Sequence, residues 1–381
     1  MTSSPIPFFR PEIGDAEIEG VASVLRSGWL TTGSVTAGFE RRFAEYVGAP
    51  HAVAVNSCTA ALHLAMAAAG VGPGDEVVMP TMTFAATAEV AVHLGARPVL
   101  VDSEPGTLNL DPERVAAAVG PRTRAVVPVH YAGQAADLDP ILEVAGRHGV
   151  AVIEDAAHSL PAAYKGRMVG SIGDFTCFSF YATKTLTTGE GGMVTTADGE
   201  AAARVRSLSL HGLSRDAWDR YRGGPWDYRV VAAGYKYNLP DTASAIGLAQ
   251  LGRCDAMAGA RARAAEAYRE RLAAVPGVRP LRALPDRRHA WHLFVVEIGT
   301  DGRPADRNDV IARLSAEGIG TSVHFRPLHL HPYYRDTLSA DPADYPVATA
   351  AFDRILSLPL FPSITEDEID RVVGALRAAL G

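Results

Sequence analysis

Between Ala52 and Thr196 the sequence alternates short β-branched runs with alanine-rich stretches, each long enough for about two to three helical turns. This rhythm of strand, helix and strand, with short connections, is typical of a largely parallel sheet that helices cover on both faces. This pattern constrains the fold more than any other feature. Two parallel strands that are neighbours must be joined by a crossover connection, and both faces of such a sheet must be buried. The predicted strands are Ala52–Val55, Glu76–Met79, Pro98–Val101, Ala125–Val129, Ala151–Glu154, Phe175–Phe180 and Met193–Thr196.

The stretches between these runs have the length and composition of crossover helices. They are Thr59–Ala69, Thr83–Leu94, Pro112–Val119 and Asp139–His148. From about Arg204 to Tyr237 the rhythm stops, and a polar stretch rich in glycine and aromatic residues, which includes Arg222–Trp226, predicts a long loop.

The last third of the chain predicts a second unit. Helical patterns continue after Pro240 and are followed by a strand, a helix and a terminal helix, at Trp291–Ile298, Asp306–Glu317 and Glu366–Leu380. We therefore predict a large α/β domain over residues 1–250, with about the first 30 residues as an arm, and a smaller α+β domain over residues 251–381.

The composition excludes several classes of protein. Lys and Arg number 36 against 43 Asp and Glu, a net charge of -7, so no global basic field exists to hold nucleic acid or an anionic membrane. Three distant cysteines form neither a disulfide framework nor a Cys-x-x-Cys metal site. No signal peptide opens the chain, and no apolar run reaches the roughly 18 residues of a membrane span. We expect a cytoplasmic protein, in which a local pocket would have to hold any phosphate that it binds.

Polar residues follow most of the predicted strands. In open parallel sheets ligands bind outside the carboxyl ends of the strands, so these residues are expected to share one cleft. They are the segments Asn56–Ala60, Thr81–Phe84, His130–Gln134, Asp155–His158 and Tyr181–Lys184.

Four features of this cleft point to one cofactor. The free N–H groups of the helix that begins at Ser57–Ala60 would attract a phosphate, although a plain N-cap is the alternative. Asp155 is either a carboxylate ligand or a cap, and Phe84 is either a stacking surface or core. Lys184 lies between an apolar strand and a Thr- and Gly-rich turn, and a partly desolvated amine is a Schiff-base nucleophile. Together they fit pyridoxal 5′-phosphate (PLP), whose ring nitrogen the carboxylate would keep protonated.

Other cofactor classes lack a motif. Gly70–Asp75 carries Asp where a dinucleotide-binding Gly-x-Gly-x-x-Gly needs its last glycine, and no P-loop, His-Glu-x-x-His or Gly-x-Ser-x-Gly motif is present. A metal site at His324, His329 and His331 is the competing interpretation of those histidines, but neither a carboxylate nor a cysteine accompanies them. We therefore predict no metal.

Taken together, the motifs from Gly28–Gly33 to Pro327–His329 resemble the DegT/StrS-type sugar aminotransferases. The blocks Glu154–His158 and Lys184–Gly192 carry the resemblance most strongly. It implies a fold-type I PLP transferase in which PLP alternates with its aminated form, pyridoxamine phosphate (PMP). It further implies a homodimer with a shared active site that aminates a nucleotide-linked keto-sugar, with L-glutamate or glutamine as the donor.

The resemblance also implies roles for individual residues. Lys184 would form the Schiff base with the cofactor and move the proton, Asp155 would pair with the pyridinium nitrogen, and His158 would lie near the ring hydroxyl. The remaining contacts would be the amides of Thr59 and Ala60 and the Ser179 hydroxyl on the phosphate, Phe84 on the ring, and Asn238 on the phosphate of the neighbouring subunit. Positions around the sugar nucleotide would be Trp29, Thr31, His324 and His329.

Several alternatives within this resemblance stay open. Lysine at position 184, where a dehydratase branch of the family has histidine, favours amination, and Gly189-Glu190 favours C-4 of a 4-keto-6-deoxy-hexose on dTDP or UDP. A C-3 keto-sugar or cyclitol aminotransferase, a PLP-dependent sugar dehydratase and a non-catalytic PLP-binding regulator are the alternatives. Arg326, Arg229 and Lys236 are unranked candidates for binding the donor carboxylate or the diphosphate.

Overall fold

The computed structural model describes residues 4–214 and 227–381. Arg222–Trp226, part of the predicted long loop, lies outside these residues. The strands are β1 His51–Val55, β2 Glu76–Pro80, β3 Arg97–Val101, β4 Thr123–Val126, β5 Ala151–Asp155, β6 Ala163–Tyr164, β7 Arg167–Met168, β8 Phe175–Ser179, β9 Gly192–Thr196, β10 Val278–Pro280, β11 Arg287–Arg288, β12 Phe294–Ile298 and β13 Ile355–Leu358.

The helices follow the same chain order. They are α1 Asp15–Ser27, α2 Ser34–Val47, α3 Cys58–Ala68, α4 Ala85–His93, α5 Pro112–Ala118, α6 Leu138–His148, α7 Gly199–Ser209, α8 Asp241–Gly252, α9 Cys254–Leu272, α10 Arg307–Ala316, α11 Pro332–Leu338, α12 Pro346–Phe352 and α13 Glu366–Leu380.

Seven strands form the main sheet, in the order β1-β9-β8-β5-β4-β2-β3. β9 runs antiparallel to β1 and to β8, and the other neighbouring strands are parallel, which confirms the predicted mostly parallel sheet flanked by helices. Both faces are buried: Val77 and Met79 of β2 belong to one buried cluster with residues of α3 and α4, whereas Val78 belongs to another with Ile141 and Val144 of α6. The alternation of side chains along a strand therefore explains why these strands are apolar throughout.

A second core lies around the antiparallel sheet β10-β12-β13. Phe294 and Val296 of β12 pack there with Tyr268 of α9 and Leu376 of α13. Ile6, from the N-terminal arm, joins the same core, and its N–H donates to the carbonyl of Gly318 at 2.9 Å. The division into domains at residues 250 and 251 stays a prediction; these residues lie inside α8.

The ends of some elements differ from the predictions for identifiable reasons. The predicted loop was wrong at its start, because α7 continues to Ser209 with Asp198 as its N-cap and Val205 buried. β4 ends at Val126, two residues before Pro128, which has no N–H to donate to a ladder. β12 begins at Phe294, after Trp291 with its positive φ of 49°.

Gly192 brings β9 into close contact with the start of α3. A Cβ atom at this position would lie 2.6 Å from the carbonyl carbon and oxygen of Ser57, which are backbone atoms that cannot rotate away. We expect Gly192→Ala to lower the free energy of unfolding by about 1–3 kcal/mol, as overpacking does, in a denaturant titration. Gly146→Ala in α6 is the control, since its Cβ would meet nothing within 4 Å and alanine favours a helix. Equal stability of wild type and Gly192→Ala would contradict this expectation.

Candidate active site

A cavity of about 570 Å³ lies where the parallel strands end. The segments after β1, β5 and β8 line it, together with residues of the N-terminal arm and of the last third of the chain. The sheet therefore brings four of the five strand-end segments that the sequence singled out to one cavity, whereas no residue of His130–Gln134 is among the lining residues. The polar and aromatic lining residues are Phe8, Phe9, Ser57, Cys58, Thr59, Phe84, Asp155, His158, Ser179, Tyr181, Thr183, Lys184, Glu190, His292, Ser322, His324 and Phe325.

Lys184 presents an amine to this cavity. Burial lowers the pKa of Lys184 to about 8. No hydrogen bond or ion pair joins its Nζ atom to any residue in the described ranges. The chain has only two other lysines: Lys165 is 48% exposed and paired with Asp139, and Lys236 donates to Asn238. Lys184 is therefore the lysine whose position suits covalent chemistry.

Asp155 places a buried carboxylate at the end of β5. Its Oδ2 atom accepts a hydrogen bond from the Thr87 hydroxyl at 2.8 Å, and its Oδ1 atom accepts one from the Ala157 N–H at 3.1 Å. Burial raises the pKa of Asp155 above its ordinary value, while these two hydrogen bonds and the Lys184 cation counteract the shift. The carboxylate is thus suited to bind a cationic N–H inside the cavity.

Three histidines in the cavity wall are held neutral. Burial and the neighbouring Lys184 cation lower the pKa of His158 and of His292 well below the ordinary value, and burial lowers that of His324 to about 4. The His158 ring lies 4.5 Å from the His292 ring and is stacked 5.6 Å from Phe325. The buried Nδ1 atoms of His158 and His292 have no hydrogen-bond partner in the described structure, so each is available to form a hydrogen bond with a ligand.

The start of α3 offers backbone N–H groups, although one of them is already used. The first turn of a helix leaves its amides without intrahelical acceptors, and these include the amides of Cys58 and Thr59. The Ala60 amide instead donates to Ser57 Oγ at 3.1 Å, so here the N-cap interpretation describes the contact. Ser179, at the end of β8, also lines the cavity. Thr59 and Ser179 are therefore placed to meet an anion.

Phe84 is 61% exposed and lies at the N-cap of α4, with its ring 5.9 Å from Phe325. This exposure excludes the interpretation of Phe84 as core. An exposed aromatic ring at a cavity wall is suited to cover the face of a planar ligand.

The structure places four of the predicted contact residues away from this cavity. Asn238 donates to Thr32 Oγ1 at 2.8 Å beside β1, and Trp29 Nε1 donates to the Thr32 carbonyl at 3.1 Å. Thr31 is exposed, and its carbonyl accepts from the N–H at the start of α8. His329 is fully buried. The predicted contacts of these residues with a ligand or a neighbouring subunit stay predictions.

His329 has a structural role in this chain. Its Nδ1 atom lies 2.7 Å from Thr81 Oγ1 and its Nε2 atom 2.9 Å from Thr349 Oγ1, and its ring stacks on Tyr345. Because both ring nitrogens are engaged inside the protein, the imidazole has no free atom to offer a ligand.

The cavity also contains residues that the sequence did not single out. Phe8 belongs to the N-terminal arm and stacks 5.5 Å from His324, and His292 follows the positive-φ residue Trp291. His292 was missed because the predicted strand Trp291–Ile298 included it, whereas the observed strand begins at Phe294. The charged residues that line the cavity, among those described, are Asp155, Lys184 and Glu190. Arg326, Arg229 and Lys236 do not line it.

A buried hydrogen bond between His130 and Glu154 stabilises the chain behind Asp155. The Ala136 N–H donates to His130 Nδ1 at 3.0 Å, so the other ring nitrogen carries a proton and donates to Glu154 Oε2 at 2.8 Å. Burial alone would raise the pKa of Glu154, but the hydrogen bonds from His130, Gly173 and Thr176 lower it. Glu154 is therefore an ionised structural anchor beside the cavity.

The residues present fit PLP. The cavity combines a reactive amine at Lys184, a buried carboxylate at Asp155 for the ring nitrogen, and an unpartnered buried Nδ1 atom at His158 for the ring hydroxyl. The amides at the start of α3 suit a phosphate, and Phe84 suits a ring face. Each functional group of PLP thus has a partner of matching chemistry.

The lowered pKa of Lys184 predicts a distinctive labelling profile. The amine is neutral, and hence reactive, above its pKa, so we expect acetylation of Lys184 in the apoprotein to reach half its maximum near pH 8. Lys165 is the internal control: the hydrogen bond that its amine donates to Asp139 raises the pKa of Lys165, so its labelling begins at higher pH. Competitive acetylation with acetic anhydride, read by mass spectrometry, measures both. Coincident profiles for the two lysines would contradict the expected shift.

Residues 4–214 and 227–381 contain neither a membrane-spanning helix nor a metal-binding cluster. None of the helices there is long and apolar enough to cross a membrane. Within the same ranges, no group of three or more His, Cys, Asp or Glu side chains is arranged to hold a metal ion.

The chain is similar over nearly its whole length to known proteins. The model of the DegT/DnrJ/EryC1/StrS aminotransferase family matches residues 11–377. The spore coat polysaccharide biosynthesis protein SpsC of Bacillus subtilis strain 168 is 50% identical over 374 residues, which cover 98% of this chain and 96% of that protein.

Solved structures are similar over nearly the whole chain. Spr1654 from Streptococcus pneumoniae, in its PMP form, has a TM-score of 0.92 and 35% identity and covers 98% of both chains. The same protein is also solved in its PLP form. The sugar aminotransferase CalS13 from Micromonospora echinospora has a TM-score of 0.88 and 33% identity, over 98% of this chain and 99% of that one.

Proposed function

Because this chain belongs to the DegT/DnrJ/EryC1/StrS family of PLP-dependent aminotransferases, we propose that it transfers an amino group from L-glutamate or glutamine to a nucleotide-linked keto-sugar. The proposed acceptor is C-4 of a dTDP- or UDP-linked 4-keto-6-deoxy-hexose. The observation that carries the proposal is the presence in one cavity of a lysine with a lowered pKa and a buried carboxylate, Lys184 and Asp155.

PLP, when bound, supplies an electron sink for the negative charge that develops when a proton leaves the carbon bearing the amino group. Asp155 holds a proton on the ring nitrogen, which keeps that sink effective. The Nζ atom of Lys184, with its pKa near 8, accepts and returns the proton at the reacting carbon near neutral pH. His158, neutral and buried, binds the ring hydroxyl through a nitrogen that has no other partner in the described chain.

The cavity wall suits the neutral part of a sugar. His158, His292 and His324 are uncharged, and a neutral imidazole both donates to and accepts from hydroxyl groups. The related proteins support a sugar substrate, since CalS13 is named as a sugar aminotransferase and SpsC as a polysaccharide biosynthesis protein.

The charge of the cavity supports a shared site in a homodimer. A phosphate, a donor carboxylate and a sugar diphosphate are all anionic, whereas Lys184 is the one cation among the described lining residues. We therefore propose that a second copy of the chain contributes further groups. Asn238, Trp29 and Thr31, which lie away from their own cavity, are the proposed contributors.

The experiment that tests this function begins with the absorption spectrum of the PLP-loaded protein. We expect L-glutamate to shift the cofactor band, and one dTDP- or UDP-linked 4-keto-6-deoxy sugar to restore it. Restoration only by a 3-keto sugar or by a cyclitol would replace the proposed acceptor with that compound. Loss of water from the sugar without amination would identify a dehydratase. A band that neither compound changes would contradict catalysis and favour a PLP-binding regulator.

A further inference from the structure

Two buried hydroxyl groups lead from the start of α4 to the cavity carboxylate. Thr87 is fully buried and Thr83 is 2% exposed. Their Oγ1 atoms lie 2.8 Å apart, and Thr87 Oγ1 lies 2.8 Å from Asp155 Oδ2. The other buried residues of α4 are Ala86, Ala88, Val90 and Ala91, so Thr87 is the buried polar side chain of an otherwise apolar face. A buried hydroxyl is costly unless it is hydrogen-bonded, and this one is bonded toward the cavity.

The direction of these hydrogen bonds follows from the acceptor at their end. An ionised carboxylate only accepts, so the Thr87 hydroxyl donates to Asp155. The hydroxyl of Thr87 has only one proton, and that proton is used in the bond to Asp155. In the bond between the two threonines the Thr83 hydroxyl must therefore be the donor. Hydrogen bonds in such a chain polarise one another in the same sense, which strengthens the last bond of the chain.

Asp155 thereby receives one donor on each oxygen from its own chain. The Ala157 N–H donates to Oδ1 and the Thr87 hydroxyl donates to Oδ2. One donor thus follows Asp155 in the chain and the other precedes it. A protonated carboxyl would carry an O–H group, which donates a hydrogen bond and leaves fewer lone pairs to accept one. Two hydrogen-bond donors at Asp155 therefore favour its ionised form. They also restrict the rotation of the carboxylate. The lone pairs that remain are available to a third donor in the cavity.

We propose that Thr87 is a positioning residue that acts through Asp155, orienting the carboxylate and keeping it ionised so that it binds the ring nitrogen of PLP. This inference rests on the proposed function, because it needs Asp155 to face that nitrogen. The other groups near Asp155 act differently. The Lys184 cation acts on its charge, and the thiols of Cys58 and Cys177 form no hydrogen bond to its oxygens.

The test compares the binding of PLP with that of 1-deaza-PLP, which has carbon in place of the ring nitrogen. Apoprotein of the full chain is titrated with each compound by absorbance. Thr87→Val keeps the shape of the side chain and removes the hydroxyl, and Thr87→Ser keeps the hydroxyl. We expect Thr87→Val to raise the Kd for PLP about tenfold, as the loss of a hydrogen bond to a charged group does, and to leave the Kd for the deaza analogue unchanged. Thr87→Ser is expected to bind both compounds as the wild type does.

A merely structural role of Thr87 predicts a different result. If Thr87→Val weakens the binding of both compounds equally, the inference is overturned. If the wild type itself binds both compounds equally, Asp155 does not bind the ring nitrogen, and the proposed role of Asp155 fails together with that of Thr87. If Thr87→Val does not fold, Thr83→Val tests the same inference by removing the hydroxyl that donates to Thr87. A smaller loss of affinity for PLP alone then supports the inference. An equal loss of affinity for both compounds overturns it.

Discussion

Lys184→Ala is expected to lower the rate of amino transfer by about 10³-fold, since a positioned acid–base group contributes about 10²–10⁴-fold and this side chain also supplies the amine for covalent attachment. The physical reason is that Lys184 is the one lysine in the described chain that faces the cavity, with a pKa near 8 that suits proton exchange at neutral pH. The measurement is single-turnover conversion of L-glutamate by the PLP-loaded variant, followed by absorbance.

Two controls separate the chemistry of Lys184 from damage to the fold. Lys165→Ala removes an exposed lysine paired with Asp139 and should retain the wild-type rate. Small primary amines added to Lys184→Ala should restore part of the rate, because they replace the missing base without restoring the side chain. An alanine variant that converts glutamate at the wild-type rate would contradict the assignment of Lys184.

Asp155→Asn is expected to slow the same half-reaction by about 10²-fold. Removing one partner of a buried, hydrogen-bonded charge pair costs about 2–5 kcal/mol, and each 1.4 kcal/mol is tenfold. The amide keeps the size of the carboxylate but has no charge to hold a proton on the ring nitrogen, so the electron sink weakens. Single-turnover kinetics and a PLP titration together measure the effect on the rate and on binding.

The control for this substitution is Asp139→Asn. Asp139 is 54% exposed and pairs with Lys165, so its neutralisation should leave both the rate and PLP binding unchanged. If Asp155→Asn reacts as fast as the wild type, Asp155 is only a cap for the turn at Ala157, which is the alternative that the sequence left open.

Much of the sheet and part of the site could be predicted because their signals are local. Runs such as Glu76–Met79 are apolar on both faces, and the helices between them follow from composition and length. Once the strands are parallel, their carboxyl ends meet at one edge, which places Asp155, His158 and Lys184 in one cavity without knowledge of the packing. The family resemblance covered the same blocks, and the family match confirms it.

Tertiary structure alone decided which residues far apart in the sequence complete the cavity and which do not. Phe8 enters it from the N-terminal arm and His292 from the last third of the chain. His329, on the same histidine-rich segment as His324, is instead hydrogen-bonded to Thr81 and Thr349 inside the protein. The pKa of Lys184 is likewise set by burial. Sequence determines local conformation through nearby residues, whereas the direction of a side chain and its desolvation depend on segments that meet only when the chain has folded.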